Sequence, residues 1–436
     1  MAQSILSHLR SSLGPSTKII PWFEVEAGWQ EKINRAIIKE GLPLCVIFPD
    51  SEISLARLVS ICSQNRWSLL ICGNGTKLNW GGLIDSPQIA VSVARLNKII
   101  DHAAGDLTVT VEAGITIAHL QNCLQSSGQF LPLDCSYTQD ATAGGVMATA
   151  DAGSWRQRYG GVRDMILGFS FIRADGQIAK AGGRVVKNVA GYDMMKLFTG
   201  SYGTLGIISQ ITFRLYPLPS TSATVLITGD GKSIDKIARS IRQSGLTPTK
   251  ADILSTAMVA SCGYGEDVGL IIRWETIPAS IEQQVNTVTT LAKELNCKVV
   301  EYTAGSEVSL WQKLQTLIDE ASQNLDNLCK IGIEPSSLGS FIEELDTLGQ
   351  KRGLAVINLA SGIGKIRVDS VETTLKLRRT CESRSGFLTL LDTAKETKTV
   401  CEPWGYTGNS GGIMTTIKQK FDPYSIFNPS KFINKI

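Results

Sequence analysis

Histidine is almost missing from this 436-residue chain: His8, His102 and His119 are the only three. No HxH or HxxxH pair exists, which excludes a histidine-rich metal site of local spacing. The ten cysteines are dispersed, the nearest two being Cys62 and Cys72, and no CxxC occurs. That excludes a locally spaced iron–sulfur or zinc site and reads the thiols as reduced, mostly buried small hydrophobes. No apolar run reaches the ~18 residues that span a bilayer, and residues 1–15 hold no continuous signal-peptide-like segment. A cytoplasmic location is therefore expected, with peripheral attachment to a membrane partner left open. An excess of one charge is also lacking. Lys and Arg number 43 against 40 Asp and Glu, net +3, with no basic stripe to bind nucleic acid.

What remains is globular: 43% hydrophobic and 19% charged residues, in a chain long enough for two or three domains. Glycine stands out, with 41 copies, thirteen of them among the 71 residues from Asp140 to Gln210. Such clustering suggests backbone that turns tightly or touches something.

Hydrophobic periodicity divides the chain into a mostly helical lead-in (1–40), a glycine-rich domain (41–219), a regular domain (220–400) and a Gly-, Pro- and Asn-rich tail (401–436) that packs back onto an earlier domain. Pro217 and Pro219 mark the central boundary. In the first domain the spacing predicts strands at Ser68–Cys72, Ile89–Val93, Leu107–Glu112 and Gly206–Tyr216. It predicts helices after Asp50-Ser51-Glu52 and over Ile117–Ser127, the latter ending at Gly128. Beyond Pro219 the order strand–helix–strand–strand–helix–strand, the split βαβ unit, occurs over residues 223–302. It recurs over 328–390 without sequence identity between the halves.

Four glycine-bearing segments carry candidate chemistry. Gly73-Asn74-Gly75-Thr76-Lys77 follows a strand and can offer successive backbone N–H groups to a phosphate, or be an ordinary tight turn. Leu78 stands where a Rossmann fingerprint needs its third glycine. Asp140–Ala148 is dominated by small residues, suited to a flat ligand or to close packing of two segments. Gly182–Asp193 and Gly200–Ile208 are the other two.

In this order the four resemble the FAD-binding fold of the vanillyl-alcohol oxidase and p-cresol methylhydroxylase superfamily, over roughly Pro43–Pro219 plus Phe421–Pro429. The run Lys187-Asn188-Val189-Ala190-Gly191-Tyr192-Asp193, then Leu197-Phe198 and Gly203-Thr204-Leu205-Gly206, resembles the glycolate/lactate branch. With Trp404-Gly405 and the tail, the chain looks most like the E-type FAD-binding subunit of bacterial glycolate oxidase (glycolate dehydrogenase). The resemblance implies an α+β architecture: a two-subdomain FAD-binding fold with an α/β cap of tandem split-βαβ, ferredoxin-like units. It implies that Gly73, Asn74, Gly75, Thr76 and Lys77 cradle the FAD pyrophosphate. Pro132, Thr142, Ala143, Gly144 and Gly145 would line the ribityl and flavin region. Gly206, Ile207 and Ile208 would hold the adenine or ring edge, and Asn428 would sit near the isoalloxazine. No histidine or cysteine stands in the first cradle beyond Cys72, so non-covalent FAD is expected.

Catalytic members of the branch resemble one another in a late histidine metal motif, which is missing here, since no histidine follows His119. A hydroxy acid still needs a cation for its carboxylate and a base for its hydroxyl. Arg158, Arg163, Lys187 and Tyr192 are the available candidates, each with a salt-bridge or loop-supporting role as the alternative. No metal site is expected. The implied partners are a catalytic FAD subunit and an iron–sulfur subunit. A flavin-free assembly subunit and an independent FAD-dependent alcohol oxidase are the other readings.

Overall fold

The computed structural model describes residues 2–38, 41–183, 192–320 and 325–436. The chain divides into two compact units: Met1–Ala152 with Gly161–Leu218 and Tyr406–Ile436, and Gly153–Gly160 with Pro219–Gly405.

The first unit holds two main sheets. In the four-stranded one, Lys18–Pro21 runs antiparallel to Cys45–Phe48. Parallel pairing then continues through Ile89–Ser92 to Leu69–Cys72. Glu52–Asn65 is the crossover helix that joins Cys45–Phe48 to Leu69–Cys72, the two parallel strands that flank Ile89–Ser92. The Ser51 hydroxyl accepts from the Ser54 N–H at its start, and Arg66 ends it in the left-handed region. Val46, Leu70 and Ala90 bury one face of this sheet with Ile33 and Ile37 from the lead-in. The tail extends the sheet. Leu69 N–H donates to Ile426 O at 2.6 Å, and Asn428 N–H donates to Leu69 O at 3.0 Å.

The five-stranded antiparallel sheet runs Ile99–Ala103, Thr108–Glu112, Ile207–Arg214, Ile166–Ile172, Ile178–Gly182. Its last two strands lie inside the glycine-rich stretch, for which no strand was predicted. Gly176 (φ +82°) makes the turn between them. The strand Lys18–Pro21 likewise interrupts a lead-in expected to be mostly helical.

In the second unit eight strands form one sheet, ordered Lys298–Tyr302, Thr221–Gly229, Val268–Thr276, Lys250–Leu254, Leu354–Asn358, Ile363–Val368, Asn327–Gly332, Phe387–Asp392. Each group of four is one split-βαβ unit, and the two meet where Ile253 pairs with Ile357. Helices Gly231–Gln243, Pro278–Glu294, Leu338–Leu348 and Val371–Ser383 bury their apolar stripes, among them Ile237, Val288, Phe341 and Leu377, in the common core. Gly153–Gly160 belongs to this unit. Trp155 Nε1 donates to Glu275 at 3.1 Å, and Asn358 Nδ2 donates to Gln157 Oε1 at 3.2 Å.

Candidate functional site

The strand Leu69–Cys72 delivers the chain into the loop 73–77, which borders a cleft of about 730 Å³ in the first unit. All five residues Gly73, Asn74, Gly75, Thr76 and Lys77 line it. Their backbone N–H groups donate to no acceptor among the described residues. Five successive amides without a partner in the chain are available to an acceptor in the cleft. Side-chain bulk is excluded at two points. Gly75 has φ +74°, and a Cβ there would press on Leu78 and Lys32 at 3.3 Å. A Cβ on Gly73 would collide with the Thr142 hydroxyl.

The loop is held from behind. Lys77 Nζ lies 3.1 Å from Asp151 Oδ2, both side chains almost fully buried, and the same oxygen accepts from Ser136 N–H at 2.8 Å. Lys77 therefore anchors the loop through its side chain and leaves its amide to the cleft.

Thr142, Gly144 and Gly145 line the cleft at the start of the short helix Ala143–Thr149, whose first turn is capped by Thr142 Oγ1. Gly144 also meets the close-packing expectation, since a Cβ would stand 2.9 Å from that of Ala113. Ala143 does not face the cleft. It is fully buried, with its N–H on Ile115 O. Pro132 is buried and lies outside the lining as well. Gly206, Ile207 and Ile208 line the cleft from the start of a central strand.

Asn428 lines the cleft and acts as a strut: its Oδ1 accepts from Ile71 N–H at 2.7 Å, and its Nδ2 donates to Tyr202 O at 2.8 Å. Gly203 (φ +71°) makes room, because a Cβ there would stand 2.8 Å from Asn428 Nδ2. Sequence reasoning missed Gly203, Tyr202, Ala148, Thr149 and Lys431 as lining residues. Gly203 stood in a segment already singled out. Lys431 had no local signal, because its ammonium reaches Leu78 O, 2.6 Å away, across 353 positions of sequence. Deeper in the tail, buried Lys418 donates to Thr204 O, Asp422 Oδ2 and Phe427 O at 2.8, 2.6 and 2.9 Å.

Burial pushes the Cys72 thiol up to about 12, so this lining residue is a neutral thiol. Burial likewise raises Tyr202, reinforced by the Asp151 charge.

Among the described residues, the candidates Arg158, Arg163 and Tyr192 do not line the cleft. Arg158 is exposed and belongs to the second unit. Tyr192 is 93% exposed. Arg163 pairs with Asp193, the N-cap of Met194–Phe198. Lys187 lies outside the described residues. His102 Nε2 meets Gln129 at 2.9 Å, and His119 lies 3.8 Å from Cys123 on one helix. Among the described residues no three His, Cys, Asp or Glu side chains form a metal-holding group, and no helix is long and apolar enough to cross a membrane.

Residues 43–182 match the FAD binding domain family. The cofactor is FAD. The unpaired amides and the excluded Cβ positions fit its diphosphate. The chain is 32% identical to glycolate oxidase subunit GlcD of Bacillus subtilis over 46% of this chain and 43% of that protein. It is 33% identical to glycolate oxidase subunit GlcE of Escherichia coli, over 40% and 50%. Identity to a probable mitochondrial D-lactate dehydrogenase of Danio rerio is 30%, over 58% and 52%. The chain thus spans about half the length of these relatives. Among solved structures, p-cresol methylhydroxylase superposes with TM-score 0.73 at 15% identity, covering 95% of this chain and 98% of that one. A 4-ethylphenol oxidase from Gulosibacter chungangensis gives 0.77 at 13%, covering 99% and 97%. At such identities the likeness concerns the fold, which is the expected p-cresol methylhydroxylase type.

Proposed function

We propose that the chain is an FAD-dependent oxidoreductase of 2-hydroxy acids, working as the FAD-binding subunit of a glycolate-oxidising complex. The observation that carries this is the run of unpaired amides from Gly73 to Lys77, in a chain similar to two glycolate oxidase subunits. In this reading Gly73–Lys77 hold the diphosphate through backbone N–H groups. Thr142, Gly144 and Gly145 pass beside the ribityl chain, with Pro132 and Ala143 supporting that wall from behind. Gly206, Ile207 and Ile208 contact the adenine or ring edge through main chain, and Asn428 fixes the wall beside the flavin. Bound there, FAD supplies a two-electron acceptor for the C–H bond beside a substrate hydroxyl. The neutral thiol of Cys72 supports non-covalent attachment, since only a thiolate is a competent nucleophile.

The lack of any histidine after His119 supports division of labour between subunits. A sister subunit with its own FAD would carry the catalytic set, and an iron–sulfur subunit would take the electrons onward. The same feature favours, as second reading, a purely assembling subunit. Anaerobic addition of glycolate to the purified chain separates these. Bound FAD that stays oxidised supports the subunit reading. Bleaching would sink it in favour of an independent oxidase, and a colourless, stable chain would favour assembly alone.

A further inference from the structure

We infer that Lys32, on the helix Ala27–Ala36 outside the 43–182 match, supplies the cation that neutralises the diphosphate at the 73–77 cradle. This rests on the FAD reading above. A diphosphate brings negative charge that backbone dipoles only partly offset, so a nearby ammonium strengthens such a site. Lys77 is already committed to Asp151, and the buried Lys431 ammonium reaches Leu78 O. Lys32 differs from both. Its ammonium is exposed and donates to the carbonyl of Asn74, inside the cradle, at 3.2 Å. It has no carboxylate partner among the described residues.

The stem is positioned by the fold. Lys32 Cδ and Trp29 Cζ3 stand 3.3 and 3.5 Å from the place a Cβ would take on Gly75. The ammonium lies 5.6 Å from the Trp29 ring centroid, and Trp29 is itself wedged edge-on against Phe48 at 5.6 Å. The absence of a side chain at Gly75 therefore leaves room for the Lys32 stem beside the loop, where its ammonium meets the Asn74 carbonyl. A lysine on a four-carbon stem can exchange its single carbonyl acceptor for a phosphate oxygen without moving the helix.

The test is FAD titration of the full-length chain stripped of flavin, read by flavin fluorescence at several salt concentrations, for wild type, Lys32→Gln and Lys32→Arg. Lys32→Gln should weaken FAD binding about fivefold, as an exposed charge pair allows, with a shallower dependence on salt and an unchanged melting temperature. Lys32→Arg should bind within about twofold of wild type. Equal affinity and equal salt dependence in Lys32→Gln would overturn the inference. So would a loss that leaves the salt dependence unchanged and that arginine does not rescue, since that marks a packing role. A wild type that takes up no FAD would instead overturn the cofactor reading on which this inference stands.

Discussion

Lys418→Met removes a buried ammonium that ties the segment around Thr204 to the tail. Its hydrogens go to Thr204 O, Phe427 O and Asp422 Oδ2. Burial lowers its pKa below the usual lysine range, with the Asp422 charge opposing that shift. Methionine fills much of the volume but leaves a fully buried carboxylate without its cation. Breaking a buried pair in this way costs about 3–5 kcal/mol, and the two carbonyls that lose this donor add about 1 kcal/mol between them. Asp422 keeps the N–H groups of Ile426 and Phe427, at 2.9 and 2.8 Å, which holds the total near the lower end, about 4 kcal/mol. With a urea slope near 2 kcal/mol/M, the midpoint should fall by about 2 M. Urea unfolding of the full chain, followed by flavin fluorescence for the first unit, measures it. Adding Asp422→Asn to Lys418→Met should recover part of the loss, because the uncompensated charge goes. A midpoint within about 0.3 M of wild type would refute the reasoning, since the ammonium would then not hold the tail to the cleft.

Gly75→Val should abolish FAD retention: a left-handed position (φ +74°) disfavours β-branched residues, and the side chain would press on Leu78, Lys32 and Trp29 and distort the loop. Flavin occupancy at the wild-type level in that variant would show that the cradle is misplaced. In the second unit, Asp235 lends its carboxylate to the Gly339 N–H at 3.0 Å, at the start of the helix Leu338–Leu348. Burial raises its pKa, opposed by that N–H and by Arg242. A carboxyl with a raised folded pKa contributes stability below its unfolded value, about 3.9, and loses that contribution as pH rises through the folded value. Asp235→Asn keeps the acceptor without the charge, so its melting temperature relative to wild type should climb as pH rises from 4 to 7. Asp235→Ala, which loses the acceptor as well, should be about 1 kcal/mol less stable than Asp235→Asn at any pH. A parallel pH profile for wild type and Asp235→Asn would count against the buried carboxylate.

The regular half of the chain was the more legible. The strand–helix order over 223–302 and 328–390 follows from apolar spacing alone, because each helix buries one stripe against one sheet. The strand Lys298–Tyr302 has its predicted bounds. The glycine-rich half hid the strands Ile166–Ile172 and Ile178–Gly182. The first is buried along nearly its whole length and shows no alternation, so no period-2 signal marks it. In the cleft, residues within the Gly-x-Gly segment were readable because the signal is local. Lys431, Asn428 and Lys418 serve through bonds to residues more than 200 positions away, and no spacing rule reports such pairs. Pro132 and Ala143 failed to reach the lining for a related reason: a small residue in a glycine-rich run can face the core as readily as the ligand.

The central claim is that the amides of Gly73–Lys77 hold FAD without a covalent bond. The most direct measurement is the flavin content of the purified chain before and after acid precipitation. About one FAD per chain, released entirely into the acid supernatant, is the expected result. Flavin that stays with the precipitated polypeptide would contradict non-covalent binding. A chain that neither carries FAD nor takes it up would contradict the cradle itself.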